Sequence, residues 1–413
     1  MKLKTLIIAL SKKNRLFRVS IKKLRNFLNY QAYKKMIKKP LNEKQIIFES
    51  FMGRNFSDSP KAIYEYMINN NEFKSYKFIW AFSEPEKYKC LEKSNTTIIK
   101  YGSKEYYKSY ATSKYWITNS RIPEHIKRKE KQVYVQCWHG TPLKKLGHDI
   151  KVEFDNAMNS LKDFVNKYDI DTKRYTHMVS PSKYTTEKYK SAFDLKNVNP
   201  DCKIIEKGYP RNDFLYNHNI EDVEKIKSKL NIPSEKKVVL YAPTWRDNQH
   251  SSSSGYVYKL NLDLENLYNN LSGEYVMLVR SHYFITNSFD FSKYENFIFD
   301  VSSYNDINDL YVISDILITD YSSVFFDYAN LKRPIIFYMY DYDEYKYKLR
   351  DFYIETNELP GPMIFEEKEL VNAIKQHKNI INKHHDIYTI FNNKFNYLDD
   401  GNSSKRVVKE ILK

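Results

Sequence analysis

The sequence presents a histidine-glycine pair, His139-Gly140, directly after a short apolar stretch, and this pair is its most distinctive candidate for chemistry. The preceding residues 133–138 are typical of a buried strand, Gly140 permits a sharp turn, and Pro142 suits the first position of a helix. An imidazole with an unperturbed pKa of about 6.5 can accept a proton from an alcohol, which contributes about 10²- to 10⁴-fold to a rate. The pattern predicts that His139 is a general base, with a purely structural role in the turn as the alternative.

Basic side chains follow two later apolar runs in the same way. The run ending at Tyr241 is followed by Thr244 and Arg246, and a second run is followed directly by Arg280 and His282. A guanidinium can donate two parallel hydrogen bonds to phosphate oxygens, and a histidine can carry positive charge. Each cluster alone is a weak indication, and both predict contacts to phosphate.

The most informative cluster joins an apolar run ending at Asp320 to a predicted helix that begins near Ser322 and Ser323. Free backbone N–H groups and the helix dipole favour an anion at such a start, with the serine hydroxyls as extra donors. Asp327, one turn further on, can accept hydrogen bonds from ribose hydroxyls. Serines that only cap the helix are the alternative.

These clusters follow strands that fall into two series separated by helical stretches. The first series is predicted at residues 46–49, 76–82, 97–101, 115–118 and 133–138, and the second at 238–242, 275–280, 297–300, 316–319 and 334–338. Strands that alternate with helices indicate parallel sheets, whose ligands bind beyond the carboxyl ends of the strands. The fold class is therefore α/β with two doubly wound sheets, and the polar stretch 216–235 is the predicted boundary.

The net charge of +16 is concentrated at the N-terminus. Residues 1–40 hold 13 Lys and Arg and no acidic residue, so the remaining chain carries 54 basic against 51 acidic side chains, which argues against a nucleic-acid-binding protein. In this segment apolar residues recur at helical spacing among the cations: Leu6, Ile7, Leu10, Phe17, Ile21, Leu24, Phe27 and Leu28. The apolar runs are far shorter than the ~20 residues of a membrane span. The pattern predicts a basic amphipathic helical arm that binds an anionic membrane surface, with a solvated arm or an interdomain helix as the alternative.

Several cofactor and metal sites are excluded by counts. The nine glycines form neither GxGxxG nor GxxxxGK[ST], and the three cysteines provide no disulfide framework and no four-ligand zinc spacing with the histidines. We therefore expect no cofactor and no metal requirement, and a reducing cytoplasmic compartment.

Taken together, the motifs resemble those of the CDP-glycerol glycerophosphotransferases, membrane-associated enzymes that build the poly(glycerol phosphate) of teichoic acids and some capsules. The matching segments run in order over residues 45–365: FESF (48–51), SDSPKAIY (57–64), WHGTPLK (138–144), SPS (180–182), GYPRND (208–213), APTWR (242–246), RSH (280–282) and TDYSS (319–323). The order of these segments along the chain is far more specific than any single motif.

The resemblance implies a GT-B architecture, in which two Rossmann-like domains face each other across a cleft. It implies a membrane-associating segment at 1–40, an acceptor-side domain with the general base at 41–230, a CDP-donor domain at 231–395 and a C-terminal helix at 396–413. It makes His139 and His282 the catalytic residues. The residues that it implies for substrate binding are Lys144, Arg211, Thr244, Arg246, Arg280, Ser322, Ser323 and Asp327.

The reaction implied is transfer of glycerol phosphate from CDP-glycerol to a lipid-linked glycerol-phosphate acceptor at the cytoplasmic face of the membrane, with release of CMP. His139 would deprotonate the acceptor hydroxyl for in-line attack on phosphorus, without a covalent intermediate. CDP-ribitol as the donor stays open, as do a GT-B glycosyltransferase or epimerase with another nucleotide donor, and an inactive homologue. Polymerase and single-addition activity also stay open.

Overall fold

The computed structural model describes residues 15–151, 161–244, 250–251, 255–256, 260–281, 290–344 and 352–413. Its N-terminal domain is built on a seven-stranded parallel sheet in the order β3-β2-β1-β4-β5-β6-β7. The strands are β1 (Asn42–Glu49), β2 (Lys77–Phe82), β3 (Thr96–Lys100), β4 (Ser113–Thr118), β5 (Val133–Gln136), β6 (His177–Ser180) and β7 (Lys203–Glu206).

The C-terminal domain is built on a six-stranded parallel sheet in the order β12-β11-β8-β13-β14-β15. The strands are β8 (Lys237–Tyr241), β11 (Tyr275–Val279), β12 (Ile298–Asp300), β13 (Ile316–Thr319), β14 (Ile335–Tyr338) and β15 (Met363–Ile364), and a separate hairpin pairs β9 (His250–Ser251) with β10 (Gly255–Tyr256). In both sheets the strand order reverses direction beside the first strand, as in doubly wound folds.

The helices of the described chain connect and flank these strands. They are α1 (Arg15–Met36), α2 (Asp58–Ile68), α3 (Lys104–Thr112), α4 (Leu161–Thr172), α5 (Lys183–Ala192), α6 (Leu195–Val198), α7 (Asp213–Asn217), α8 (Ile220–Lys229), α9 (Leu264–Leu271), α10 (Ile307–Ile313), α11 (Val324–Tyr328), α12 (Tyr342–Glu344), α13 (Leu370–Lys375), α14 (His377–Lys383), α15 (His385–Phe395) and α16 (Ser403–Ile411).

Alternate residues of the central strands bury into different cores, because successive side chains of a strand point to opposite faces. In β1, Ile46 and Phe48 pack with α2 and α16, whereas Ile47 packs with α1 and α3. In β8, Val238 and Leu240 pack with α10, α11 and α15, and the alternate residues pack with α9 and α13. Both faces of both sheets are covered, which confirms the predicted fold class of two doubly wound α/β domains.

Two segments cross from one domain to the other. Leu143 leaves the N-terminal domain and packs in the core of the C-terminal one, while α16 returns and buries Val407 and Ile411 against the N-terminal sheet. The predicted helix start at Thr141-Pro142 is wrong. Residues 141–146 are extended there because the Leu143 carbonyl accepts a hydrogen bond from the Tyr353 amide, 2.8 Å away.

Helix α1 joins the N-terminal domain at its C-terminal end. Tyr33 is fully buried and donates a hydrogen bond to the Lys127 carbonyl over 2.8 Å, whereas Leu24, Phe27 and Leu28 are 56–59% exposed. The apolar residues Leu6, Ile7 and Leu10 lie outside the described residues. Within the part of the chain that the structure describes, every helix is too short or too polar to cross a bilayer.

Candidate active site

The two domains enclose a cleft of about 410 Å³ beyond the carboxyl ends of their strands. From the N-terminal domain it is lined by residues that include Phe51, Asp58, His139 and Arg211. The C-terminal domain contributes residues that include Arg280, Ser281, Tyr304, Asn308, Ser323 and Asp327. Residues as far apart in sequence as Phe51 and Asp327 therefore meet at one site, as expected for ligand binding between two doubly wound sheets.

His139 follows the end of β5 after two residues and faces this cleft. Its Nδ1 is 2.9 Å from the carbonyl oxygen of Asn119, and a carbonyl can only accept a hydrogen bond. Nδ1 must therefore carry the proton, which leaves Nε2 as the acceptor. This is the tautomer that a general base requires.

The electrostatic surroundings of His139 favour its neutral form. The ring is exposed to the cleft, yet protein of both domains surrounds it and displaces bulk water, and this desolvation lowers its pKa below the usual value. The Asn119 hydrogen bond and the negative charge of Asp58 oppose the shift, and Arg211 and Arg121 add to it. His139 is consequently unprotonated near neutral pH and ready to accept a proton.

The backbone before His139 is bent into an unusual conformation. Trp138 has a φ of 53°, a left-handed value that non-glycine residues rarely adopt, and its indole stacks on the imidazole with ring centres 4.6 Å apart. The Trp138 ring is held in turn by an edge-to-face contact with Phe193 at 5.0 Å. The strained turn thus directs His139 away from the sheet and into the cleft.

Gly140 brings this turn against the other domain. A Cβ built on Gly140 would lie 2.8 Å from the Ser323 hydroxyl oxygen and 3.7 Å from Nη2 of Arg211. Glycine is favoured here because a Cβ would come too close to the Ser323 hydroxyl unless that hydroxyl turned away. Ser323 itself forms no side-chain capping bond to α11, so its hydroxyl is not used in the way that the capping alternative predicted.

Arg211 and Asp327 form a buried ion pair across the domain interface. Nη2 of Arg211 is 2.6 Å from Oδ2 of Asp327, and its Nη1 is 3.2 Å from Oδ2 of Asp58, with all three side chains 6–7% exposed. Burial raises the pKa of Asp327, and Arg211 opposes that rise. Both residues border the cleft, but their charges are largely engaged with each other, so ligand binding by Arg211 and ribose binding by Asp327 stay predictions.

Thr244, Ser322 and Arg280 lie at the ends of C-terminal strands, as the sequence predicted. Asp320 accepts hydrogen bonds from the amides of Thr244, at 2.7 Å, and of Tyr321, at 2.6 Å, and so ties the ends of β8 and β13 together. Nη1 of Arg280 donates to the carbonyls of Val301, at 3.0 Å, and of Tyr304, at 2.9 Å. Arg280 therefore fixes the loop that borders the cleft.

Three other predicted site residues are placed differently or not described. Lys144 is not among the residues that line the cleft, and its backbone pairs with Phe352 in an isolated bridge. Arg246 and His282 lie outside the described residues, so their roles stay predictions. Among the residues that the structure does describe, no three His, Cys, Asp or Glu side chains converge on a point that could hold a metal ion.

Sequence reasoning had not assigned roles to Asp58, Asn119 and Lys61. Asp58 and Lys61 lie in the SDSPKAIY segment, which matches a motif of the family but whose residue types indicated no particular function. Nζ of Lys61 is 2.7 Å from Oδ2 of Asp306 across the interface, so this segment contributes to holding the domains together. Asn119 combines its bond to His139 with a second one, from the Phe51 amide to its side-chain oxygen at 2.8 Å.

Comparison with known proteins gives a consistent result. Residues 31–413 match the family model described as CDP-Glycerol:Poly(glycerophosphate) glycerophosphotransferase. The teichoic acid poly(glycerol phosphate) polymerase of Bacillus spizizenii is 42% identical over 90% of this chain and 93% of its own length. The polymerase of the same name from Staphylococcus epidermidis is 43% identical over 88% of this chain, which spans about half (50%) of the length of that relative.

The fold has a close match among solved structures. A structure of the wall teichoic acid polymerase TagF soaked with CDPG superimposes with a TM-score of 0.85 at 39% identity, and the match covers 98% of this chain and 97% of that one. Sequence identity and structural similarity to these polymerases thus extend over nearly the whole length of the chain. The chain belongs to the CDP-glycerol:poly(glycerophosphate) glycerophosphotransferase family.

Proposed function

We propose that the protein transfers glycerol phosphate from CDP-glycerol to a lipid-linked glycerol-phosphate acceptor and releases CMP, in the synthesis of a teichoic acid or capsule polymer. The observation that carries the proposal is His139, which is held with Nε2 free to accept a proton in a cleft formed by both domains. Glycerol phosphate is favoured over ribitol phosphate as the transferred group because both polymerases compared above are named for poly(glycerol phosphate).

The mechanism assigns separate tasks to the two sides of the cleft. His139 takes the proton from a terminal hydroxyl of the acceptor, and that oxygen attacks the glycerol-bearing phosphorus of CDP-glycerol in line. The bond from this phosphorus to the bridging oxygen breaks, and CMP leaves with the electron pair. Catalysis by this route rests on positioning and charge stabilisation, with no covalent enzyme intermediate.

The C-terminal domain would hold the donor. The Ser323 hydroxyl borders the cleft opposite His139, and Ser322 and Thr244 flank the same strand ends. Nη1 of Arg280 binds the Val301 and Tyr304 carbonyls. Its other guanidinium N–H groups would donate to the diphosphate of CDP-glycerol. Arg246 and His282 follow the same strands in sequence and would add positive charge.

Helix α1 would attach the protein to the cytoplasmic face of the membrane. Its exposed Leu24, Phe27 and Leu28 recur at helical spacing and form one apolar stripe, in a segment without acidic residues. Each cation near an anionic surface contributes about 1 kcal/mol to such binding. Serine at these three positions should weaken binding to vesicles of anionic phospholipid, whereas serine at the distant exposed Ile220, Phe365 and Ile390 should leave it unchanged. Equal binding by both triple variants would contradict the membrane role.

The activity is tested by measuring CMP release with a glycerol-phosphate-primed lipid acceptor. CDP-glycerol, CDP-ribitol and UDP-N-acetylglucosamine are offered separately, and we expect acceptor-dependent CMP from CDP-glycerol. His139→Ala should abolish turnover while the affinity for CDP-glycerol stays within a few-fold. Silence with both CDP-alcohols, with an acceptor that a known transferase accepts, would refute the proposed reaction, and turnover by His139→Ala would remove His139 from the role of base.

A further inference from the structure

A second cavity, also of about 410 Å³, opens on the N-terminal domain beside helix α1, and we call it the side groove. Asn26 and Asn29 of α1 form one wall, and Arg121 with the residues up to His125 forms the opposite wall. Apart from Arg121, whose charge helps to lower the pKa of His139, these residues have no part in the mechanism described above. The side groove is nevertheless as large as the cleft.

The side groove lies at the same edge of the sheet as His139. Met52, which follows β1, lines the side groove, and its neighbour Phe51 lines the cleft with its ring centre 6.1 Å from that of His139. The turn at Phe51-Met52 therefore lies between the two cavities. Arg121 also follows a strand end, that of β4, and its positive charge lowers the pKa of His139.

The turn between the cavities has an unusual backbone conformation. Phe51 and Met52 both have left-handed φ values, 48° and 58°, and Gly53 follows at 76°. The Met52 amide donates to Ser120 Oγ over 2.9 Å, so the turn is fastened to the residues after β4 just as Phe51 is. A conformation that is costly for two consecutive non-glycine residues is thus maintained where the two cavities adjoin.

The lining of the side groove places the cations Arg121 and Lys167 beside the carboxylates of Glu124 and Asp171, and it offers hydrogen-bonding groups that suit a polyol phosphate. Two asparagine amides and the phenols of Tyr101 and Tyr107 offer donors and acceptors for hydroxyl groups. Arg121 provides a guanidinium whose side chain is 37% exposed. Asp171 holds it at 3.4 Å, and the Tyr168 ring lies 5.1 Å below it. A guanidinium fixed in this way can donate its remaining N–H groups to phosphate oxygens.

Helix α1 places the side groove next to the membrane-binding stripe. At 100° per residue, Asn26 and Asn29 lie on the opposite side of α1 from Leu24, Phe27 and Leu28. The diameter of one helix, about 10 Å, therefore separates the stripe from the side groove. An acceptor chain that leaves the bilayer beside α1 needs only to pass this helix to enter the side groove.

We propose that the side groove binds the glycerol-phosphate units behind the reacting end of the acceptor chain and directs its terminal hydroxyl past Met52 to His139. Arg121 would bind a phosphodiester of the chain, and the amides and phenols would bind its glycerol hydroxyls. This inference rests on the proposed function, since it names the binding site of the acceptor in that reaction.

The proposal is tested by filling the side groove. Asn29→Trp should raise the KM for the lipid acceptor at least tenfold, while kcat and the KM for CDP-glycerol stay within twofold. Asn393→Trp, at an exposed position of α15 in the other domain, is the matched control and should change nothing. Arg121→Gln removes the cation without adding bulk, so it carries the test if Asn29→Trp does not fold. An acceptor KM within twofold of wild type in both folded variants would overturn the proposal.

A binding measurement separates this inference from the proposed reaction. A synthetic glycerol-phosphate trimer, titrated calorimetrically, should bind the wild-type protein and lose at least tenfold in affinity with Asn29→Trp and Arg121→Gln. Absence of trimer binding to the wild type would overturn the side groove as an acceptor site, even if CMP release is normal. Trimer binding that the variants weaken, together with silence in the CMP assay, would refute the reaction and leave the side groove supported.

Discussion

Gly140→Ala tests whether catalysis depends on the close approach of the two domains at Gly140 and Ser323. The new Cβ would lie 2.8 Å from Ser323 Oγ, where ordinary contact begins at 3.4 Å, so the two domains must separate locally or the hydroxyl must turn away. The Ser323 Cβ would be 3.6 Å away and imposes no conflict, so the overlap involves the hydroxyl alone. Either response displaces the Ser323 hydroxyl relative to His139.

The size of the effect follows from this overlap. Relieving it needs a shift of about 0.6 Å, and a misplacement of about 1 Å in an active site can cost about 10²-fold in rate. We therefore expect kcat to fall about tenfold, which corresponds to about 1.4 kcal/mol of activation free energy. The positive φ of Gly140 adds a modest loss of stability, which a melting curve would measure separately.

The assay is steady-state CMP release by four proteins: wild type, Gly140→Ala, Ser323→Ala and the double variant. Because Ser323→Ala removes the atom in conflict, the double variant should be no slower than Ser323→Ala alone. Gly273→Ala, whose Cβ would meet nothing within 4 Å, is the control for the substitution itself. A Gly140→Ala enzyme with wild-type kcat, or a double variant whose losses multiply, would refute this account of the interface.

Two further predictions concern stability. Arg211→Met should lower the free energy of unfolding by about 3–5 kcal/mol because it leaves two buried carboxylates without their cationic partner. Lys413→Met, which removes an exposed pair with Glu410, should leave the urea midpoint nearly unchanged, and equal urea midpoints for both variants would contradict the first value. Burial raises the pKa of Glu49 to about 7, against the opposing effect of its hydrogen bond from Tyr110. The folded state therefore holds the Glu49 proton more tightly than the unfolded chain, and stability is lost as pH rises through that pKa. Between pH 5 and pH 8 the wild type should lose about 2 to 3 kcal/mol more than Glu49→Gln, and parallel pH profiles of the two proteins would disprove the assignment.

Much of the fold was predictable because buried parallel strands are nearly continuous apolar runs. The runs before His139, Arg280 and Asp320 form β5, β11 and β13, so these residues lie at strand ends as expected. The same reasoning missed β6 and β7, since short strands such as His177–Ser180 and Lys203–Glu206 mix polar with apolar residues and lack a clear period. The family was accessible for a different reason, namely the order of eight motifs along the chain.

The arrangement within the site was less accessible, because it depends on contacts between residues distant in sequence. Proline after a glycine turn is compatible with a helix start, whereas in the structure the segment is extended and bonds to distant residues, through the bridge to Phe352 and the hydrogen bond from the Tyr353 amide. Likewise, the sequence does not indicate that Arg211 meets Asp327, since 116 positions separate them and each residue alone is suited to bind a ligand. Local sequence patterns determine the helices and strands, whereas contacts between residues distant in sequence determine which side chains meet in the site.

The crossing of Leu143 and α16 between the domains limits how the protein can be divided. A chimaera that exchanges everything after residue 230 with a relative would pair a foreign last helix with the native N-terminal sheet, and a foreign core with the native Leu143. Exchange of residues 231–395 alone would keep α16 with the sheet it covers. The two halves are thus not interchangeable modules, and a graft of a new donor specificity must carry Leu143 with the imported core and leave α16 behind.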